Sequence, residues 1–193
     1  MSIPAEIQRR LCAYYALDEV PDVDGFIEVR ADAGRERVLV REGAGEVELR
    51  VELPAAALEP GATLDLVCQA VEGVSHFVLL AERARCELPT THLELEMQAE
   101  VDKFLVLGVL PEPAPALERA RLRYRLFADV RFTDEEGTVE GDRYRLASRI
   151  AERFVRRLEA EFLGRSRHRE LREHLRRFFR AGQTRKLEIA GAF

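Results

Sequence analysis

Residues 45–54 read GEVELRVELP, and their alternation decides the first half of the fold. Val47, Leu49, Val51 and Leu53 fall on one side of an extended chain, while Glu46, Glu48, Arg50 and Glu52 fall on the other. Such a strand packs one face and leaves the charged face wet. Upstream, GFIEVR (25–30) and ERVLVRE (36–42) are also strand-like, and residues 31–34 and 43–45 supply the small and polar residues of turns. Three strands so joined predict an antiparallel meander.

After Pro60 and Gly61 the period changes. From Leu64 the apolar residues Val67, Val71, Val74, Val78 and Ala81 follow helical spacing, which predicts one long helix over residues 62–84. Gly73 weakens that helix, and a strand from Phe77 to Ala81 competes with its second half. Thr91 opens a capping box with Glu94, so a second helix runs to about Leu107 and buries Leu93, Met97, Val101 and Phe104. PEPAP (111–115) is a stiff connection. Residues 116–130 fit both periods; Ala, Arg and Leu favour a helix, and no β-branched residue precedes Val130.

A loop over 132–142 leads to two closing helices. The first buries Ala147, Ile150, Phe154, Leu158 and Phe162 and stops at Gly164; the second buries Leu171, Leu175 and Phe178 and stops near Gly182. A short helix over 4–17 with Ile7, Leu11 and Tyr14 on one face precedes the strands. The expected class is α+β: a small N-terminal antiparallel β-meander packed on a mainly helical remainder of about five helices. Residues 1–193 are expected to form a single domain, with an acidic β-containing part over 1–60 and a helical part over 61–193. The basic C-terminal helices lie within 142–182.

Charge is unevenly placed. Residues 140–193 hold 15 Lys+Arg against 8 Asp+Glu, and residues 1–139 hold 15 against 27, within a chain of net charge −5. Apart from Lys103 and Lys186, every basic side chain is arginine. A GC-rich genome produces that bias without function, so the position of the arginines counts for more than their number. Cys12, Cys68 and Cys86 are odd in number and lack a Cys-x-x-Cys spacing, which points to reduced, buried thiols in a cytoplasmic protein. No stretch of about 20 uncharged apolar residues is present, so no membrane partner is expected. The N-terminus lacks the apolar run and small-residue site of a signal peptide. Gly-x-Gly-x-x-Gly, the phosphate-binding Gly-x-x-x-x-Gly-Lys loop, His-Glu-x-x-His and an EF-hand loop are all missing, so nucleotide-dependent chemistry by the common routes is not expected, and the sequence leaves any cofactor unknown.

Four patterns remain as candidate sites. Arg165, Arg169, Arg172, Arg176 and Arg180 step by four, three, four and four and form a helical stripe suited to an acidic partner. Arg149, Arg153, Arg156 and Arg157 lie away from the apolar face of the preceding helix. Nucleic acid is disfavoured by the pI of about 5.6 and by the lack of aromatic residues among the exposed arginines. Glu72 and His76, one turn apart, with Glu96 and Glu100 on the next helix, resemble the carboxylate metal sites of helical bundles. Those sites use Glu-x-x-His, whereas this chain has Glu-x-x-x-His once. GVSHF (73–77) places Ser75 and His76 inside an apolar run, but it lacks the second glycine and the preceding strand of a nucleophile elbow.

Glu46-Val-Glu48-Leu-Arg50 resembles the Glu-x-Glu-x-Lys strand signature of triphosphate-tunnel enzymes. That resemblance implies a tunnel of many strands holding metal and phosphate, yet this chain turns helical after residue 60 and has arginine in place of lysine. The sequence therefore predicts a small cytoplasmic binding or assembly protein that uses its basic C-terminal helices for an acidic protein partner or for a homodimer. The alternative is a metal-dependent enzyme at Glu72, His76, Glu96 and Glu100.

Overall fold

The EVELRVELP segment (46–54) forms the centre of the sheet, and the sheet belongs to the first of two units. The computed structural model describes residues 1–31, 34–43, 46–130 and 132–191, which divide into Met1–Pro89 and Thr90–Phe193. The first unit comprises α1 (Ile3–Tyr15), β1 (Ile27–Arg30), β2 (Arg37–Gly43), β3 (Glu46–Pro54) and α2 (Leu64–Arg85). The second comprises α3 (His92–Gly108), α4 (Ala116–Phe127), α5 (Val139–Glu161), α6 (His168–Arg180) and α7 (Gln183–Ala190).

The strand order is β1-β3-β2. β2 and β3 pair antiparallel, with Arg37 opposite Glu52 and Arg41 opposite Glu48, as the hairpin reading expects. β1 instead pairs parallel to β3, with Ile27 opposite Val51. The predicted meander is thus corrected to a mixed sheet. The physical reason lies in β3, whose Leu49, Val51 and Leu53 are all buried. The strand with the largest apolar face takes the covered central place, and the two edge strands tolerate exposure of Val29, Leu39 and Val40. The expected turns at 31–34 and 43–45 fall partly outside the described residues, as do the side chains of Glu46 and Val47.

α2 lies across the sheet as one unbroken helix, which settles residues 77–81 as helical. Its start is capped by Thr63, whose hydroxyl accepts from the Leu66 N–H at 3.4 Å. Gly73 marks the closest approach to β3. A Cβ there would stand 3.0 Å from Val51 Cγ1 and 3.1 Å from Leu53 Cδ2, so the missing side chain lets helix and strand meet. Among the described residues α2 alone is long and apolar enough to cross a bilayer, but 67% of its most apolar window is buried, as in a core helix. α1 packs on α2 through Ile7, Leu11 and Tyr14. Gln8 ties down the following segment: its amide donates to Pro21 O at 2.6 Å, and its carbonyl accepts from Val23 N–H at 2.9 Å.

The second unit is helical throughout and gathers around α3. The capping box forms as expected: Glu94 N–H donates to the Thr91 hydroxyl at 3.2 Å, and Thr91 N–H donates to the Glu94 carboxylate at 2.9 Å. α3 is buried well beyond its apolar face. Lys186 of α7 donates to Gln98 Oε1 at 2.5 Å, Gln98 donates to Asp102 Oδ1 at 3.0 Å, and the Lys186 ammonium sits 4.1 Å from the Phe178 ring centre. Residues 116–127 are helical, the reading that Ala, Arg and Leu favoured. The described residues hold seven α-helices, six of them in the helical remainder after residue 61, where about five were expected. α7 was missed because its anchor is a buried lysine, which reads as surface in a hydropathy pattern.

Candidate functional site

α5 is the framework of the main surface feature. It starts inside the expected 132–142 loop, where the Thr138 hydroxyl accepts from Gly141 N–H at 3.0 Å and donates to Glu135 O at 2.7 Å. Ala147, Ile150, Ala151, Phe154, Val155 and Leu158 form its buried face. Arg145, Arg149, Arg153 and Arg156 step by four, four and three along a different face, so the 3.6-residue period aligns them in one row.

This row runs beside an open groove of about 820 Å³ between α4 and α5. α4 contributes Ala120, Arg123, Tyr124 and Phe127; Phe132 closes one end, and Leu146 lies on the α5 side. Arg145 is placed over the Phe132 ring, 4.8 Å from its centre. Ion pairs hold the two helices together at the other end. Arg123 donates to Glu159 at 2.7 Å and to Glu152 at 3.4 Å, and Arg156 also reaches Glu152 at 3.4 Å. Glu152, the carboxylate in the groove lining, is therefore shared by two guanidinium groups. By contrast, Arg145, Arg149 and Arg153 have no acidic partner among the described residues. Arg149 and Arg153 are exposed beside the apolar floor, while Arg145 is half-buried over Phe132.

The groove lining contains no histidine or cysteine among the described residues, and its one serine, Ser148, is buried. Its one carboxylate, Glu152, is paired with Arg123 and Arg156, and the arginine row can attract an anion.

The predicted arginine stripe divides. Arg165 closes a 3-10 turn (Leu163–Arg165) ahead of α6, and Arg169, Arg172, Arg176 and Arg180 lie on α6 itself. Arg169 pairs with Glu173 at 3.1 Å, and Arg167 with Glu170 at 3.1 Å, so part of this charge is satisfied within its own helix. A second hollow of about 470 Å³ lies between α6 and α7, lined by His174, Arg177, Arg180, Arg185 and Glu188 among others. Arg185 is paired with Glu188 at 2.6 Å. His174 is held below the ordinary imidazole value, first by burial and then by the charges of Arg177 and Arg157.

The remaining candidates fall as follows. Glu72 and His76 are both buried on α2 in the first unit. Glu96 and Glu100 are on α3 in the second; Glu96 is buried, and Glu100 pairs with Lys103 at 2.7 Å. Ser75 is fully buried on α2, in an ordinary helix rather than a strand-to-helix elbow. Among the described residues three strands form the sheet, far short of the tunnel that the Glu-x-Glu resemblance implies. All three cysteines are free. Cys12 is pushed up to about 11, chiefly by burial, and so stays a thiol. Cys86 is exposed rather than buried, because it caps the C-terminal end of α2.

The α5 arginines were visible in the sequence as a set lying off the apolar face. The groove was not, because its other wall is supplied by α4. The chain matches no family model, no curated protein and no solved structure.

Proposed function

We propose that this is a non-catalytic binding protein whose second unit takes an acidic protein partner. One observation carries the reading: Arg145, Arg149 and Arg153 stand along an apolar groove without an acidic partner among the described residues. An arginine row beside aromatic floor residues is the composition of an interface rather than of a solvated face. The α6 arginines lie in the same unit and add long-range attraction.

Charge reversal tests this directly. Arg149→Glu combined with Arg153→Glu is expected to weaken binding of a labelled acidic peptide by at least about tenfold, equivalent to about 1.4 kcal/mol. Fluorescence anisotropy measures the loss, and wild-type affinity is expected to fall as salt rises. Binding that ignores both the charge reversal and the salt removes the proposal.

Self-association is a second form of the reading. Residues 1–89 hold 9 Lys+Arg against 17 Asp+Glu, whereas residues 90–193 hold 21 against 18, so one copy offers both signs of charge to another. Sedimentation as a function of salt separates a homodimer from a monomer that binds another protein. The metal-enzyme alternative rests on Glu72 and His76, buried one turn apart on α2, with Glu96 and Glu100 one turn apart on α3. Metal retained by the purified protein would revive that alternative.

A further inference from the structure

We infer that the α4–α5 groove recognises an amphipathic acidic segment of about three helical turns, with carboxylates at every third or fourth position along one edge; this rests on the binding reading above. The unpaired Arg145, Arg149 and Arg153 span about 12 Å of α5 at the helical rise per residue, and Arg156, which also reaches Glu152, extends the row to about 16 Å. The cations are spread out rather than convergent. A small monoanion would engage one guanidinium and leave the others unanswered, whereas a bidentate Arg–carboxylate pair at each step needs a ligand with the same repeat.

The floor adds the second requirement. Phe127 and Phe132, with exposed Tyr124 and Leu146 at the rim, present apolar surface beside the charges. A purely acidic chain leaves that surface in water. A segment with aliphatic or aromatic residues next to its acidic edge covers it, as an amphipathic helix does in a groove. A nucleic-acid backbone matches the charge spacing but leaves the floor uncovered unless bases stack there.

The test compares four labelled probes by anisotropy: a peptide of about 14 residues with glutamates in a three-four repeat beside leucines, its scrambled counterpart, oligoglutamate, and single-stranded RNA. The proteins are wild type, Arg149→Glu, and Ala120→Trp, which fills the groove from the α4 side; thermal melts verify folding. The patterned peptide is expected to bind at least about tenfold tighter than the scrambled one. Ala120→Trp is expected to weaken the patterned peptide while leaving weak oligoglutamate binding unchanged. Should Ala120→Trp fail to melt as a folded protein, Leu146→Ser at the opposite rim serves instead, with the same expectation.

Equal binding of patterned and scrambled peptides, or indifference to the groove variants, overturns the inference and leaves the acidic-partner reading in place. Loss of all acidic binding removes both. RNA held more tightly than the patterned peptide, and released by Arg149→Glu, overturns the inference in favour of a nucleic-acid site.

Discussion

Two charged faces of this protein look alike in sequence and behave differently in space. On the outer side of the sheet Glu28, Arg50, Glu48 and Arg41 form a ladder, with Arg50 2.9 Å from Glu28 and 4.0 Å from Glu48, and Arg41 3.7 Å from Glu48. Each charge there meets its opposite across neighbouring strands. Along α5, Arg145, Arg149 and Arg153 meet none among the described residues. A row of charges becomes a binding surface only where the fold leaves it unanswered. The sheet consumes its own pattern, and the α4–α5 groove keeps its pattern for a ligand.

The strongest way to sharpen this contrast is to disturb the packed side of the same sheet. Gly73→Leu forces a branched side chain against Val51 and Leu53, and it is expected to cost about 3 kcal/mol or more, read as a lower urea midpoint. Acidic-peptide binding by the surviving folded protein should be unchanged, because the groove lies in the other unit. A weaker disturbance falls on the sheet's outer side. Arg50→Glu places like charges beside Glu28 and Glu48, yet these groups are solvent-exposed, so the expected loss is within about 1 kcal/mol. A loss of several kcal/mol would show that the ladder is more than a surface feature, and a change in peptide affinity would break the comparison outright.

The smallest effect concerns the second basic hollow. His174 has a folded value below its ordinary one, so the unfolded chain takes up this proton at higher pH than the folded protein does. Its stabilising contribution is whole above the ordinary imidazole value and is lost as pH falls through the lowered one. The side chain is half-buried, and screening keeps the effect small. Between neutral and mildly acidic pH the wild type is expected to lose about 1–2 °C more in Tm than His174→Gln. Equal losses would mean that this histidine does not report on the hollow.

Much of the local structure was legible. The alternation in 45–54, the capping box at Thr91 and Glu94, and the apolar spacing of α2, α3 and α5 each specify an element through contacts a few residues apart. Other features escaped because their causes are remote in sequence. β1 sits beside β3 rather than β2 because β3 gains from cover on both edges, which alternation within a strand does not encode. Glu52 belongs to the face expected to be wet but is buried beside Arg30 at 3.3 Å. α7 depends on Lys186 reaching Gln98, 88 positions away.

The same division holds for function. By itself the sequence determined the type of each main helix, the apolar face that each would bury, and the concentration of arginine toward the C-terminus, since these follow from residue identity and from 2- and 3.6-residue periods. Only the tertiary structure decided the order of the strands, the wall that α4 provides for α5, and which arginines found a carboxylate within reach. Spacing along the chain sets where a side chain points, but its neutralisation depends on whatever non-local group the fold brings within about 4 Å.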